Sequence, residues 1–202
     1  MTIQRITPFL WYDTQAEDAA RLYVSIFSNS RITQLSRYGD AGPGPKGSVM
    51  VVGFELEGQR FTALNGGPHY RLSEAFSLLV ECTEQADIDR LWSALGDGGS
   101  YNVCGWLKDR FGLSWQINYA GLPDLMSGDP KRAARVMSAM MKMQKVDIQA
   151  FKDAAAATGR RSIARMPGRS RHRISRASTA SASFGQRRKS ALRAQAPSMR
   201  AS

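Results

Sequence analysis

Apolar, aromatic and β-branched residues dominate Ile3 to Tyr12, which predicts a strand running into Asp13-Thr14. Thr14 with Glu17 three residues on fits a capping box. Ala16, Ala19, Ala20, Tyr23 and Phe27 then recur at three- and four-residue steps, so a helix with one buried stripe is expected, punctuated by Ser28-Asn29-Ser30. Ile32 to Tyr38 and Ser48 to Leu56 read as strands on either side of the Gly- and Pro-rich loop 39–47. Glu57-Gly58 is a two-residue hairpin turn from which Arg60 to Leu64 returns antiparallel. After Asn65-Gly66-Gly67-Pro68-His69 the order restarts: strand Ala75 to Cys82, helix Glu84 to Leu95 with Ile88, Leu91, Trp92 and Leu95 on one face, and stop signals at Gly96, Gly98 and Gly99. Short strands are placed around Tyr101 to Leu107 and at Leu113 to Tyr119; the continuous apolar character of the last suggests burial on both faces.

Strand, helix, then strands occurs twice, over about 3–66 and 75–119. A small unit of this kind cannot bury its open sheet face alone and needs its partner. Beyond Gly121 the strands cease. Asp129-Pro130 places an N-cap before proline at the first helical position, predicting a helix to Lys145, with Val136, Met137, Met140 and Met141 on its apolar face. Asp147 begins a final helix with Ile148, Phe151 and Ala155 inward. A methionine stripe at this spacing reads as core or dimer packing rather than a ligand site. The fold class is α+β, with paired units followed by C-terminal helices over about 121–157.

Composition changes this picture at one place. Of 28 Lys+Arg against 17 Asp+Glu, twelve basic residues and no acidic one lie in 160–202, so the net charge of +11 belongs to the tail and the preceding domain, 1–157, is close to neutral. That removes a nucleic-acid-binding role for the domain itself. The Arg-, Ser- and Ala-rich segment 158–202 has too few large apolar residues to pack, so disorder is expected there, with non-specific attraction to nucleic acid or acidic lipid. Abrupt loss of every acidic residue is also what a shifted reading frame produces. No apolar run is long enough for a membrane span and no signal segment opens the chain, which points to the cytoplasm. Cys82 and Cys104 make neither a CxxC pair nor a disulfide framework; Cys104 reads as packing, since no motif pairs it with a base.

Ile6-Thr7-Pro8-Phe9-Leu10-Trp11-Tyr12-Asp13, Leu64-Asn65-Gly66-Gly67-Pro68-His69, Cys104-Gly105-Trp106-Leu107-Lys108-Asp109 and Gly112-Leu113-Ser114-Trp115-Gln116 together resemble the PhnB-like branch of the vicinal-oxygen-chelate superfamily, which includes glyoxalase I, extradiol dioxygenases and bleomycin- and fosfomycin-resistance proteins. The resemblance extends from Ile3 to about Ala157. It implies paired βαβββ units whose curled sheets enclose a ligand cleft, commonly completed as a homodimer. In the metal-dependent members, His on the first strand of each unit and Glu on the last hold a divalent ion. The matching places here are Ile6, Leu64 or Asn65, Phe76 or Ser77, and Gln116, which supply neither His nor carboxylate. No cofactor is therefore expected, and no residue is put forward as a metal ligand.

What the resemblance leaves for the cleft is Phe9, Trp11, Asn65, Phe76, Trp106, Trp115 and Gln116 as ligand-binding residues, a lining suited to a planar or partly apolar small molecule. His69 is the candidate catalytic residue, because an imidazole in this loop can serve as acid or base; the alternative is that its motif records only a tight turn. Two functions stay open. One is a glyoxalase/bleomycin-resistance-like small-molecule-binding protein without an intact metal site. The other is an enzyme acting on a small oxygenated or quinone-like substrate, including the branch's label of 3-demethylubiquinone-9 3-methyltransferase. For that label the Tyr12-Asp13-Thr14-Gln15 junction supplies no glycine-rich loop.

Overall fold

A computed structural model describes residues 5–157, which fall within one compact unit. The expected tail, with its disorder and its nucleic-acid or lipid binding, lies outside the described residues. Two βαβββ units follow each other: β1 (Phe9–Tyr12), α1 (Ala16–Ile26), β2 (Arg31–Arg37), β3 (Val49–Leu56) and β4 (Gln59–Asn65), then β5 (Ser77–Cys82), α2 (Gln85–Gly96), β6 (Ser100–Tyr101), β7 (Trp106–Lys108) and β8 (Ser114–Tyr119). Their sheets share one topology, β1-β4-β3-β2 and β5-β8-β7-β6, in which the first and last strands of each unit pair in parallel and the others antiparallel. Identical strand order in both halves is the structural form of the sequence repeat.

Local chemistry accounts for most boundaries. Glu57 and Gly58 both have positive φ, 48° and 84°, as a hairpin turn that follows the strand twist requires. β1 is shorter than the expected strand, because Pro8 can accept from the Thr62 amide at 3.0 Å but has no N–H to continue the ladder. The single strand expected over Tyr101 to Leu107 is instead a hairpin, β6 and β7, turned by residues 102–105 with Cys104 at φ 61° and Gly105 at φ 78°. Gly105 is required there: a Cβ would lie 2.4 Å from the Ile117 carbonyl oxygen. β8 buries Trp115 and Ile117 on its inner face, while on the other face Ser114 is buried and Gln116 and Asn118 are half-exposed.

The inner faces of both sheets close on one core. Leu10, Tyr12, Phe54 and Ala63 from the first sheet meet Leu107, Trp115 and Ile117 from the second around α1 and α2. Tyr23 of α1 joins them, tilted on Phe54 at 6.1 Å and edge-on to Trp115 at 5.2 Å between centroids. A buried polar chain runs through this core: the Tyr23 hydroxyl lies 3.2 Å from that of Tyr12 and donates to Asp109 at 2.7 Å. Burial pushes both phenols up, and the Asp109 charge adds to it. They stay protonated in the folded protein after the unfolded chain's phenols ionise, so their contribution to stability is complete below about pH 10 and declines as pH rises beyond it. Denaturant midpoints measured from about pH 9 to 11 fall in the wild type and fall less steeply in Tyr12→Phe; equal slopes contradict this assignment.

Three helices finish the domain, α3 (Leu122–Met126), α4 (Pro130–Met140) and α5 (Ile148–Ala156). Asp129 accepts from the Lys131 amide at 2.9 Å and Asp147 from the Ala150 amide at 2.9 Å, the caps expected from sequence. α4 ends before Lys145 because the Met143 and Gln144 carbonyls are bound by the Cys104 and Gly105 amides, and Val146 is buried. Of the methionine stripe, Val136 is fully buried and Met140 packs on the core, while Met137 and Met141 are exposed. Among the described residues no helix is long and apolar enough to cross a membrane.

Candidate functional site

Alternation along each strand divides the expected ligand residues. Cross-strand partners share a sheet face, so Phe9, Thr62 and Gly53 lie together, as do Trp11, Leu64 and Val51. In the second sheet Leu79, Gln116 and Trp106 share one face in the same way. These are the faces turned away from the common core, and they carry exposed Phe9 and Leu79 with Phe76 just before β5. Gln116 is held there by donating its amide to Ser77 Oγ at 2.9 Å. Beside it Ser114 Oγ is buried and has no partner among the described residues. In the sequence Ser77 marked only a place where related proteins carry a metal ligand and Ser114 stood only inside a motif; neither was expected to contact a ligand. Their signal was the polar alternation Ser114, Gln116, Asn118, which becomes meaningful only once β5 is registered beside β8.

Two expected ligand residues take other positions. Trp115 is 1% exposed, donates its indole N–H to Asp109 Oδ2 at 2.9 Å and stacks on Phe27 at 5.6 Å between centroids. It is a core residue, because it is one step out of phase with Gln116 on a strand whose side chains alternate. Asn65 accepts from the Ala16 amide at 2.7 Å through Oδ1 and donates to the Val49 carbonyl at 3.0 Å through Nδ2. It thereby caps α1, replacing the Thr14–Glu17 box: Gln15 stands at the N-cap, and no side chain of its own caps the helix. Asn65→Ala is expected to lower stability by about 1–2 kcal/mol, measured by denaturant unfolding; a neutral substitution would release the side chain for ligand contact.

Trp11 points its ring over Gly66, where a Cβ would come within 2.2 Å of the indole, and its N–H donates to the Gly67 carbonyl at 2.8 Å. His69 is exposed. It lines a cavity of about 540 Å³ with Asp13, Glu17, Asp18, Tyr38 and Asn65, and its side chain has no hydrogen-bond partner among the described residues. Gly67 at φ 84° turns the chain immediately before it. One chain therefore does not gather the expected residues into a single pocket: Asn65 and His69 share this cavity, Trp11 borders another, Trp115 is in the core, and Phe9, Phe76, Trp106 and Gln116 are on the outward sheet faces.

The residues at the superfamily's metal positions do not fit a divalent ion. Ile6 has no ligating side-chain atom, both ends of the Asn65 amide serve the backbone, and Gln116 offers only one neutral amide oxygen, too little charge to hold zinc or iron tightly. Among the described residues no three His, Cys, Asp or Glu side chains converge on a metal position.

Residues 4–118 match a family model described as 3-demethylubiquinone-9 3-methyltransferase. A solved structure described as a putative 3-demethylubiquinone-9 3-methyltransferase, PhnB protein, from Bacillus cereus is 34% identical, covers 58% of this chain and 100% of its own, and superposes with a TM-score of 0.54. Protein PA1353 from Pseudomonas aeruginosa is 22% identical over 58% of this chain and 98% of its own, with a TM-score of 0.49. Among curated proteins none matches. With a family model spanning more than half its length and both βαβββ units in place, the chain belongs to the PhnB-like family described as 3-demethylubiquinone-9 3-methyltransferase.

Proposed function

We propose that this protein binds a planar, partly apolar small molecule on its outward sheet face without a metal centre. The observation that carries the reading is the Gln116 strip: its amide nitrogen is fixed by Ser77, its carbonyl oxygen has no protein partner among the described residues, and Trp106 and Leu79 flank it in register. A ring placed against Trp106 and Phe76 donates to Gln116 Oε1. Phe9, Leu79 and Phe76 are 58%, 55% and 43% exposed on these faces. A second copy covers them and closes the cleft, so the binding unit is a homodimer. Light scattering of the full chain gives a dimer mass, and Leu79→Glu gives a monomer that loses the ligand. A thermal-shift screen of small aromatic compounds, followed by metal analysis and product analysis on every hit, tests the rest. Gln116→Ala weakens a hit about tenfold, the worth of one good hydrogen bond. Near-stoichiometric zinc, iron or nickel that disappears on mutating Gln116 overturns the reading.

A second reading rests on His69, which stands with three carboxylates around one cavity. There it transfers a proton in a reaction on a small oxygenated or quinone-like compound, the substrate class that the family's description suggests. Under this reading hits yield product, with turnover that depends on pH and is lost in His69→Ala. Binding without product, or unchanged turnover in His69→Ala, decides for the first reading.

A further inference from the structure

We infer a separate anion site in the recess where the end of β1 meets the β7–β8 turn, fitted to a small aromatic acid whose carboxylate or phosphate is held by Arg71. The recess encloses about 450 Å³ and is walled by Trp11, Tyr70 and Phe111, with Arg71, Lys108 and Arg110 at its polar side. Such a volume is in the range that accepts small organic ligands. Three features select the chemistry.

The first is charge. Three cations line the recess against one carboxylate, Asp13. Lys108 is engaged by Glu74 and Arg110 by Asp97, neither of which lines the recess, whereas the Arg71 guanidinium has no partner among the described residues. A guanidinium offers a planar fork of donors that matches a carboxylate or phosphate edge to edge, and the two neighbouring cations add to the attraction without being freed. The second is shape. Tyr70 stands edge-on to Trp11, with centroids 4.9 Å apart and planes at 85°, so the pair forms a corner against which a flat ring packs. The third is polarity at the ring itself. Because the Trp11 N–H is already used by the Gly67 carbonyl, the indole presents only its apolar surface. An inorganic anion would leave that wall unused, and a neutral arene would leave Arg71 unpaired. The site does not depend on the Gln116 strip, which lies on the second sheet.

The test uses the full chain and tryptophan fluorescence, which reports on the domain because the last tryptophan is Trp115 and the basic tail has none. Phenyl phosphate is expected to change the emission saturably. Arg71→Ala and Lys108→Met each weaken it about tenfold or more, inorganic phosphate competes at least tenfold more weakly, and benzyl alcohol does not compete. Lys131→Ala, a cation outside the recess, leaves the affinity unchanged. Calorimetry on Trp11→Phe separates loss of signal from loss of binding: retained heat with weakened affinity supports the aromatic wall. Equal affinity in Arg71→Ala and wild type, or equal competition by benzyl alcohol, overturns the proposal.

Discussion

Asp109→Ala lowers the unfolding free energy by about 4 kcal/mol, the expected result of leaving several buried donors without an acceptor. Asp109 is 3% exposed and has no basic counter-ion among the described residues; its charge is balanced by four donors. Oδ1 accepts the Phe111 and Leu113 amides at 2.8 and 3.0 Å, which shapes the β7–β8 turn. Oδ2 accepts the Tyr23 hydroxyl at 2.7 Å and the Trp115 indole at 2.9 Å, which ties the first unit's helix to the second unit's sheet. Asp109→Asn is destabilising too, because its NH2 group faces donors on whichever side it is placed. Chemical denaturation followed by circular dichroism measures both. A loss under about 1 kcal/mol for Asp109→Ala would mean that the network is not closed in solution.

Trp115→Ala costs about 3–5 kcal/mol, while Trp106→Ala costs about 1 kcal/mol or less. Trp115 fills the core between Tyr23 and Phe27, so its removal opens a cavity and takes one of two donors from Asp109 Oδ2; Trp106 is half-exposed on the opposite face. The same two variants reverse their order in a ligand assay, where Trp106→Ala weakens binding and Trp115→Ala acts only through the fraction unfolded. Strand phase makes this contrast sharp, since a slip of one residue in β8 would exchange the two faces. Comparable stability losses for both would show that the register between β8 and its neighbours differs from Leu107 opposite Trp115 and Trp106 opposite Gln116.

Local patterning alone determined much of this molecule. The stripe Ala16, Ala19, Ala20 and Tyr23 buries as its spacing requires, Glu57-Gly58 turns a hairpin because Gly58 takes a positive φ without steric cost, and Asp129 and Asp147 cap the helices they precede. The repeated order of elements, the paired βαβββ architecture and the family were legible for the same reason: each is encoded in neighbours only a few residues apart or in motifs that travel together. Long-range partners were not. Asn65, expected at a ligand, is brought by the fold to the first turn of α1, 49 positions away, where its amide also caps the helix. Trp115 looked like a cleft aromatic because composition does not state which side of a strand faces the core, and only the parallel pairing of β8 with β5 settles that. Ser77, Asp109 and Arg71 acquired roles from register, burial and the meeting of two units. These are properties of the assembled core, and no window along the chain contains them.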